Sequence, residues 1–569
     1  MQKINEESCY YYYGKRWENW DQLRANFIWE IPEKMNAAFY VCDAHADDQG
    51  NIAIFHEDYL GKKGQMTFWE LRKVTNRLAN YLKGKGLGQG ERVAVCLSQR
   101  PETIVSHIAT WKFGGVSVPL TVLFGPDSLK FRLEHSDAKI AIVESTILDS
   151  LRSIKDELED LNEIIVVGDA ELEEDEVEFW SSINEMSSYF APVQMHPDDN
   201  MLLTYTGGTT GDPKGVVHRH SFVFHVSGHY GALGNAEVRP RDVFWNPADF
   251  AWIAPLFDLA FPALFYGRPL LAYAGGKKFD PEKAFELIEQ YGLSIVYLPP
   301  TALRMMRQIK DPEENFDLSS VRVLVSGGES LGKALPEWVA KTFGPQVLVH
   351  ETYGQTECTF TTMNCQGYFG YKYNIGKAPP GLEVEILDRE GTVLPSGKVG
   401  EIAVRAFDGN PIVFKEYWKN PEETKAKFLG NWMLSGDLGV KDEQGYFTFL
   451  SRNDDIINSA GYRIGPSEIE DTLIKHEAVV EAGVIGVPDE MRGEIPKAFV
   501  VLRKGYEPGE SLKTELQEFV KQRLAKHEYP RKIEFIPELP KTTTGKVRRR
   551  DLRKIEGLPL KRRGLEDIS

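Results

Sequence analysis

Residues 202–218 read LLTYTGGTTGDPKGVVH, an apolar and β-branched run that leads into a short loop rich in glycine and threonine. The run is typical of the end of a β-strand. Glycines let the loop turn tightly and approach a ligand, so that backbone N–H groups and threonine hydroxyls can point at phosphate oxygens while Lys214 adds a positive charge. A surface hairpin would use the same residue types. The loop is not a Walker loop, because Gly215 follows Lys214 where that pattern has Ser or Thr. We predict a phosphate-binding loop of another type.

The bulk composition predicts a large enzyme built from several packed units. The chain has 569 residues, too many for one hydrophobic core, and 42% of them are hydrophobic. A formal net charge of −17 argues against a nucleic acid as the main partner. The five cysteines form no Cys-x-x-Cys pair and point to a reducing compartment. The polar N-terminus and the lack of a long apolar run predict a cytoplasmic protein that does not insert into a membrane.

Strands and helices alternate over the first half of the chain. Residues 68–86 have apolar positions at helical spacing and end in glycines, and another helix is predicted from Pro101. The runs RVAVCL, KIAIVES and EIIVVGD are typical of buried strands. This alternation predicts a large layered α/β domain with a largely parallel sheet.

The second half of the chain changes character near residue 376. Short alternating strands separated by Asp/Gly turns continue to about residue 451 and predict a small antiparallel, β-barrel-like subdomain. The charged joint SRND then leads into a compact α+β tail with basic ends. We therefore expect an N-terminal domain over residues 1–451, with the β subdomain over about 376–451, and a C-terminal domain over residues 452–569.

Two polar motifs follow predicted strands and suit a nucleotide. SGGES ends the strand VRVLVS, and such a strand–glycine–helix corner is where an α/β sheet usually binds a nucleotide. The strand VLVH leads into a predicted polar turn that offers hydroxyl donors and one metal-seeking carboxylate: Thr352, Gln355, Thr356 and Glu357. Four histidines near the first loop favour helix packing over a metal site, since no carboxylate completes a ligand set: His218, His220, His225 and His229.

Six motifs occur together in the order and at the distances found in one enzyme family. They are TYTGGTTGDPKG, SGGES, ETYGQTE, LSGDLG, SRNDDIINSAGYRIGPSEIE and PKTTTGKVRRR. From about residue 65 to residue 553 the chain resembles the AMP-forming acyl-CoA synthetases, and most closely their medium-chain group, within the adenylate-forming superfamily. The resemblance implies a large layered α/β N-terminal domain with a β-barrel-like subdomain, and a small, mobile α+β C-terminal domain.

The resemblance also implies a two-step ligase reaction. A carboxylate first attacks the α-phosphorus of Mg-ATP, which gives an acyl-adenylate and pyrophosphate. The thiol of coenzyme A then attacks the adenylate carbonyl, which gives acyl-CoA and AMP. The expected partners are a small carboxylic acid, ATP and coenzyme A, with Mg²⁺ as cofactor. Because the carboxylate and the triphosphate are both anions, catalysis must bring like charges together and stabilise the developing charge.

Roles for the nucleotide motifs follow from the same resemblance. Glu357 should coordinate Mg²⁺ through its carboxylate, as a hard cation prefers, and Thr356 should meet the α-phosphate. Asp437 should accept both ribose hydroxyls, and Arg452 should pair with the ribose or a phosphate. The other residues implied to bind ATP or AMP are Thr206, Gly207, Gly208, Thr209, Thr210, Gly211 and Lys214 at the β- and γ-phosphates, and Gly328, Glu329, Ser330, Glu351, Thr352, Tyr353 and Gln355 in the two motifs near the adenine.

The C-terminal residues are implied to serve the two steps in turn. Lys546 should reach between the attacking carboxylate and the α-phosphate during adenylation only. The C-terminal domain should then swing about the hinge residue Asp454, although Ser451 stands where many relatives have glycine. Segment 458–463 would replace Lys546 and line the tunnel for coenzyme A with Ser459, Ala460, Gly461, Tyr462 and Arg463.

The acid pocket is expected in the aromatic stretch that contains ADFAW, a pattern shared with acetyl- and medium-chain synthetases. Phe250, Trp252 and Ile253 are its predicted walls. Acetyl-specific relatives have a tryptophan where this chain has Gly354, so an open slot is expected there. Because each buried methylene is worth about 0.8 kcal/mol, we predict a medium-chain, branched or cyclic acid rather than acetate.

A stand-alone enzyme that adenylates an amino acid or an aryl acid remains an alternative. Asp258 lies near where peptide-synthetase adenylation domains place an aspartate for the substrate ammonium, although an aspartate at a helix start more often caps the helix. A luciferase-like oxygenase would share the fold. A nucleotide sensor without catalysis would be expected to lack Lys546 or Glu357, and both are present.

Overall fold

The computed structural model describes most of the chain as two compact units. Unit 1 holds the described part of Met1–Thr206, Pro213–Glu383 and Ala406–Lys427. Unit 2 holds the described part of Val384–Arg405 and Phe428–Ser569. The described residues are 20–206, 213–225, 238–275, 278–329, 331–366, 372–407, 410–452, 455, 457–459, 462–489, 491–524, 529–541 and 546–558.

Unit 1 contains two eight-stranded sheets, A and B, and strands are numbered β1–β26 along the chain. Sheet A consists of β1 (Ile52–Asp58), β2 (Lys63–Thr67), β10 (Phe244–Trp245), β11 (Leu270–Ala274), β12 (Ile295–Tyr297), β13 (Val323–Gly327), β14 (Leu348–Gln355) and β15 (Cys358–Cys365). Its order is β15-β14-β13-β12-β10-β11-β1-β2. The outer pairs β1–β2 and β14–β15 are antiparallel and the inner pairs are parallel.

Sheet B carries the strands on both sides of the predicted phosphate loop. It consists of β3 (Arg92–Cys96), β4 (Val116–Leu120), β5 (Ala138–Glu144), β6 (Glu163–Val167), β7 (Glu176–Glu178), β8 (Asn200–Thr206), β9 (Lys214–Arg219) and β18 (Glu416–Tyr417). Its order is β18-β9-β8-β4-β3-β5-β6-β7. The pairs β18–β9 and β9–β8 are antiparallel, and the remaining pairs are parallel.

Helices cover the sheets of unit 1, and local sequence signals mark several of their ends. The helix Phe68–Gly84 starts at a capping box, in which the Thr67 hydroxyl accepts from the backbone N–H of Glu70 and the Glu70 carboxylate accepts from that of Thr67. The helices of unit 1 are Trp20–Asn26, Ala37–Val41, Phe68–Gly84, Pro101–Lys112, Pro126–Ser136, Leu148–Arg152, Phe179–Asn184, Ile253–Pro255, Phe261–Phe265, Pro281–Tyr291, Pro300–Met306, Ala334–Thr342 and Pro421–Ala426, with a π-helix at Leu256–Ala260.

Unit 2 contains two smaller sheets. The first is antiparallel and consists of β16 (Val384–Leu387), β17 (Val399–Arg405), β19 (Phe428–Leu429), β20 (Trp432–Lys441) and β21 (Phe447–Arg452). The second consists of β22 (Ile457–Ser459), β23 (Tyr462–Ile464), β24 (Val479–Asp489), β25 (Gly493–Leu502) and β26 (Lys532–Phe535), of which β26 runs parallel to β25. Its helices are Pro466–Leu473, Glu510–Lys521 and Arg549–Ile555.

The predicted α/β class, the largely parallel sheets and the antiparallel subdomain are confirmed. One boundary differs, because β14 extends through Gln355 and leaves a turn of only Thr356 and Glu357. The domain boundary after residue 451 stays a prediction; by compactness, residues 384–405 and 428–452 group with the C-terminal residues. None of the helices in the described part of the chain combines the length and the apolar character needed to span a bilayer.

A buried histidine in unit 1 predicts acid sensitivity. His107 is 0% exposed, and its ring lies 6.1 Å from that of Trp111 and 6.2 Å from that of Phe261. Neither ring nitrogen has a hydrogen-bond partner among the described residues. Burial lowers the pKa of His107 from 6.5 to about 3. Between these pH values the unfolded chain binds a proton that the folded chain excludes, so the free energy of unfolding should fall as the pH falls.

We expect His107→Phe to lose less stability than the wild type between pH 7 and pH 5. The difference in slope should approach about 1.4 kcal/mol per pH unit below the unfolded pKa, measured by urea unfolding followed by tryptophan fluorescence. His196 is exposed, and His196→Gln serves as the control for the loss of a surface histidine. Equal slopes in the wild type and His107→Phe would contradict the prediction.

Candidate active site

The predicted phosphate loop joins two antiparallel strands of sheet B. Thr206 ends β8 and Lys214 begins β9, and the two residues face each other in the hairpin register. Lys214 Nζ lies 2.5 Å from Oε2 of Glu423 and 5.1 Å from the centre of the Tyr417 ring. The ammonium group of Lys214, which is implied to bind phosphate, is therefore held by residues 417–423, which lie in and directly after β18. The loop residues Gly207, Gly208, Thr209, Thr210 and Gly211 lie outside the described residues.

The turn between β14 and β15 is fixed by hydrogen bonds to two of its backbone carbonyl oxygens. His218 Nε2 lies 2.8 Å from the carbonyl oxygen of Thr356, and the N–H of Phe414 donates to the carbonyl oxygen of Glu357 at 2.8 Å. Burial lowers the pKa of His218 to about 3, so its neutral ring can donate the Nε2 proton to Thr356. The turn is thus held both from β9 and from the residues just before β18.

The Glu357 side chain is buried beside a phenol and an ammonium group. The residue is 8% exposed, and the Tyr417 hydroxyl donates to its Oε1. Lys427 Nζ lies 4.0 Å from the same oxygen and donates to Oε1 of Gln355 at 2.7 Å. Tyr417 also contacts Lys214, so the implied phosphate cation and the implied metal carboxylate contact one tyrosine side chain, the first over its ring and the second at its hydroxyl.

The chemistry of this turn fits a magnesium ion. Mg²⁺ prefers oxygen ligands and is usually held by one or two carboxylates together with waters and substrate phosphates. Glu357 offers one carboxylate in the turn between β14 and β15. Its partner Tyr417 also contacts Lys214, which directly follows the predicted phosphate loop. Among the described residues no three His, Cys, Asp or Glu side chains form a metal-holding group.

The SGGE motif lies at the end of β13 in sheet A. Gly328 has φ of +88°, in the left-handed region that favours glycine. The Glu329 carboxylate accepts from the Thr301 hydroxyl at 3.2 Å and from Arg304 Nη1 at 2.9 Å, so it is tied to the helix Pro300–Met306. Ser330 lies outside the described residues.

The ETY motif lies beside SGGE on the neighbouring strand. Thr352 pairs with Gly327 in the parallel register of β13 and β14, and its hydroxyl donates to the carbonyl oxygen of Ser326 at 3.2 Å. Glu351 Oε1 accepts from the N–H of Leu331 at 3.1 Å, and the next residue, Tyr353, is half-buried. The structure therefore brings the two predicted nucleotide motifs together at the carboxyl ends of parallel strands, where such sheets bind ligands.

The predicted acid walls lie at the start of the helical segment 253–265. Phe250 is buried in the main core of unit 1, whereas Trp252 and Ile253 are half-buried. Asp249 holds this bend, because its carboxylate accepts from the Thr121 hydroxyl and from the N–H of Ala251. Trp252, Ile253 and the following Ala254 thus form a partly exposed apolar surface next to the core.

Asp258 lies inside the π-helix Leu256–Ala260, so its interpretation as a helix cap is wrong. The residue is 5% exposed and hydrogen-bonds with Thr359. Its Oδ1 has no hydrogen-bond partner among the described residues. Burial raises the pKa of this carboxyl well above its usual range, which favours the neutral acid. Single π-helical turns often mark functional sites.

The open slot expected at Gly354 stays a prediction. A Cβ placed at Gly354 would overlap the carbonyl oxygen of Thr359 and lie 2.9 Å from that of Cys358, both on the facing strand β15. Close approach of two backbones is sufficient to explain the glycine. Gly354→Trp would displace β15 and is no test of acid length.

Unit 2 carries a second group of predicted residues. Asp437 on β20 faces Arg452 on β21, and Arg452 Nε lies 3.3 Å from Asp437 Oδ1. Ser459 is buried at the end of β22, and Lys546 is exposed. Tyr462 and Arg463 lie on β23, of which the backbone alone is described at these positions, and Asp454, Ala460 and Gly461 lie outside the described residues.

The residues that contact Glu357 and Lys214 were not predicted from the sequence. Tyr417, Glu423 and Lys427 all lie in the segment assigned to the β subdomain, whereas the structure places them in unit 1. The run NPEETKAK is typical of a solvated helix, because it is rich in charge and has proline at its first helical position. The burial of one lysine in that run has no separate sequence signal.

Lys214→Met should weaken ATP binding. Losing a hydrogen bond to a charged group costs about 1.5–3 kcal/mol, which corresponds to a rise in KM for ATP of about 10- to 150-fold. Lys419, two residues after Tyr417, is paired with Asp137 at 2.6 Å and is 45% exposed, so Lys419→Met is the control. The measurement is acid-dependent ATP–pyrophosphate exchange, and equal KM values in both variants would contradict the role of Lys214.

Comparison with known proteins places this geometry in a family. The chain matches the AMP-binding enzyme family over residues 42–418 and the AMP-binding enzyme C-terminal domain over residues 468–546. It is 34% identical to the acetyl-coenzyme A synthetase of Bacillus subtilis (strain 168), over 94% of this chain and 93% of that one. It is also 34% identical to the mitochondrial acyl-coenzyme A synthetase ACSM3 of Rattus norvegicus, over 95% and 94%.

A solved structure shows the same fold over nearly the full length. The anthranilate CoA ligase AuaEII in complex with anthranoyl-AMP superposes with a TM-score of 0.83 at 28% identity, covering 93% of this chain and 98% of that one. The ligand in that structure is an adenylate of a carboxylic acid, the type of intermediate that the two nucleotide motifs imply. Taken with the family match, these likenesses show that the chain belongs to the AMP-binding enzymes and is an AMP-forming acyl-CoA synthetase that uses ATP, Mg²⁺ and coenzyme A.

Proposed function

We propose that this acyl-CoA synthetase activates medium-chain, branched or cyclic acids in preference to acetate. The observation that carries the proposal is the partly exposed apolar surface of Trp252, Ile253 and Ala254 next to the core. Each methylene of an acid that packs on this surface would stabilise binding by about 0.8 kcal/mol. The names of similar proteins span acetyl and anthraniloyl groups, so they do not by themselves decide between acids.

We propose that unit 1 supplies the charges for adenylation. Lys214 would exchange its Glu423 partner for phosphate oxygens, and the Thr356 hydroxyl would donate to the α-phosphate. Glu357 would hold Mg²⁺, which when bound neutralises phosphate charge. The fixed turn between β14 and β15 would keep these groups in place while the acid approaches, so little reorganisation would be needed during the reaction.

For unit 2 we propose the roles that the resemblance implies. Asp437 would accept the ribose hydroxyls, and Arg452, already 3.3 Å from it, would orient that carboxylate and pair with the ribose or a phosphate. Lys546 would stabilise the charge that develops during adenylation. Asp454 would be the hinge, and residues 459–463 would serve the thioester step with coenzyme A.

A second candidate substrate class is an amino or aryl acid that carries a hydrogen-bonding group. Asp258 favours it, since a buried carboxyl with one oxygen lacking a partner among the described residues is costly unless a ligand pairs with it. Burial raises the pKa of the Tyr297 phenol, and a charge on nearby Asp258 raises it further. A cyclic acid with a hydroxyl or amino substituent would satisfy both this carboxyl and the apolar surface.

We also propose a cytoplasmic location. The low cysteine content supports a reducing compartment, and Cys42, Cys96, Cys358 and Cys365 are free thiols. The rat relative is by its name mitochondrial, and fractionation of the native source would decide between the two compartments.

Ile253→Trp should shift the acid preference towards short acids. The larger side chain would cover the apolar surface that longer acids need, so kcat/KM should fall for hexanoate and benzoate and stay within about threefold for acetate, given about 0.8 kcal/mol per methylene. Ile309, half-buried elsewhere in unit 1, gives the control Ile309→Trp with an unchanged profile. A wild type that favours acetate tenfold over every other acid, or an unchanged profile in folded Ile253→Trp, would defeat the proposal.

Lys546→Ala should separate the two half-reactions. Loss of one well-placed charge contact costs on the order of 10²–10³ in rate, so ATP–pyrophosphate exchange should fall by that factor. Thioester formation from a supplied acyl-adenylate and coenzyme A should keep the wild-type rate. An equal loss in both half-reactions would show that Lys546 does not act in adenylation alone.

A further inference from the structure

Lys427 is a buried lysine that directly follows the helix Pro421–Ala426. Its side chain is 3% exposed, and lysine is almost never fully buried unless it is paired. Its ammonium group donates to Gln355 Oε1 at 2.7 Å and lies 4.0 Å from Glu357 Oε1. These two acceptors stand on either side of Thr356, in the turn between β14 and β15.

We propose that Lys427 is a positioning residue for adenylation, which sets the orientation of Gln355 and Glu357 and the enzyme's dependence on Mg²⁺. The proposal rests on the proposed role of Glu357 as the Mg²⁺ ligand. Lys427 itself need not touch a substrate. It acts through the carboxylate and the amide that flank Thr356.

Backbone hydrogen bonds fix the position of Lys427 at the end of the helix. Its N–H donates to the carbonyl oxygens of Glu423 and Thr424, both at 3.1 Å. The helix is capped by Asn420, whose side chain accepts from the N–H of Glu423 at 3.1 Å. Little freedom remains for the lysine stem, which suits a group that orients its neighbours.

Acidic residues lie in the first turn of this short helix, and lysines lie in its last turn and directly after it. Glu423 pairs with Lys214 at 2.5 Å, and Lys427, four residues later and one turn on, faces Glu357. One helix therefore supplies a carboxylate to the implied phosphate cation and an ammonium group to the implied metal carboxylate. The implied phosphate cation Lys214 and the implied metal carboxylate Glu357 are thus each placed near an opposite charge, from Glu423 in the helix and from Lys427 directly after it.

The ammonium group has two effects of opposite sign on the magnesium ion. Fixing the Glu357 carboxylate in one orientation speeds the chemical step, because less reorganisation is needed. A positive charge this close to the carboxylate also repels a divalent cation. Removing the charge while keeping the stem should therefore lower the rate of adenylation and at the same time lower the concentration of Mg²⁺ needed for half-saturation.

A merely structural lysine would behave differently. Its loss would reduce the amount of folded enzyme, lower both half-reactions together and leave the Mg²⁺ dependence of the remaining activity unchanged. The Mg²⁺ profile is thus the measurement that separates the two roles.

The test compares Lys427→Met, Lys427→Arg and Lys425→Met in the full-length enzyme. Lys425 lies on the same helix and is exposed, which makes its variant the matched control. We measure ATP–pyrophosphate exchange against free Mg²⁺, binding of ATP by equilibrium dialysis over the same range of free Mg²⁺ in the absence of acid, and thioester formation from a supplied acyl-adenylate.

For Lys427→Met we expect exchange to fall at least tenfold, the half-saturating Mg²⁺ to fall at least threefold in both exchange and dialysis, and thioester formation to stay unchanged. Lys427→Arg should keep the wild-type Mg²⁺ dependence, and Lys425→Met should match the wild type throughout. An unchanged Mg²⁺ dependence in Lys427→Met, or an equal fall of both half-reactions, would overturn the proposal. A wild type whose exchange needs no Mg²⁺ would instead overturn the proposed role of Glu357.

Discussion

The predicted nucleotide side of unit 1 is arranged around one constraint, the buried carboxylate of Glu357, a residue that is 8% exposed. Burial of a charged group is costly unless the group is paired and hydrogen-bonded. The Glu357 carboxylate obtains a hydroxyl donor from Tyr417 and a nearby ammonium group from Lys427. Both partners come from residues 406–427, which are separated from Glu357 in sequence by the strands β15, β16 and β17.

That segment is brought to the turn by sheet B. β18 adds to β9 as an edge strand, and the N–H groups of Lys415 and Trp418 donate to the carbonyl oxygens of Val217 and Gly215. The same strand β9 begins at Lys214 and carries His218, which holds the carbonyl oxygen of Thr356. One β-strand therefore connects the predicted phosphate loop with the proposed metal carboxylate, and a change in its register would disturb both.

Much of the fold was predictable because local signals agree with the tertiary structure. The helix Phe68–Gly84 has both apolar spacing and a capping box, and the strands of sheet B read as continuous apolar runs because both faces of a parallel sheet are covered. The pairing of SGGE with ETY was predictable only through the family resemblance, since the order of strands in a sheet is not written in any one strand.

Two features that the sequence did not reveal arise from contacts between residues distant in sequence. Gly354 is explained by the backbone of β15, which no spacing rule reveals. Lys427 looks like a surface residue until Gln355 is placed beside it. Asp258 lies within a π-helix, and the insertion of one residue into a helical turn carries no sequence signal that a periodicity search detects.

We propose that the buried carboxylate of Glu357 holds the magnesium ion that accompanies ATP. The sharpest measurement is equilibrium dialysis of ATP and of AMP against the wild type and Glu357→Gln, with and without Mg²⁺. We expect the glutamine variant to bind AMP as the wild type does but to gain no ATP affinity when Mg²⁺ is added. An ATP affinity that rises with Mg²⁺ equally in both proteins would rule out this role of Glu357.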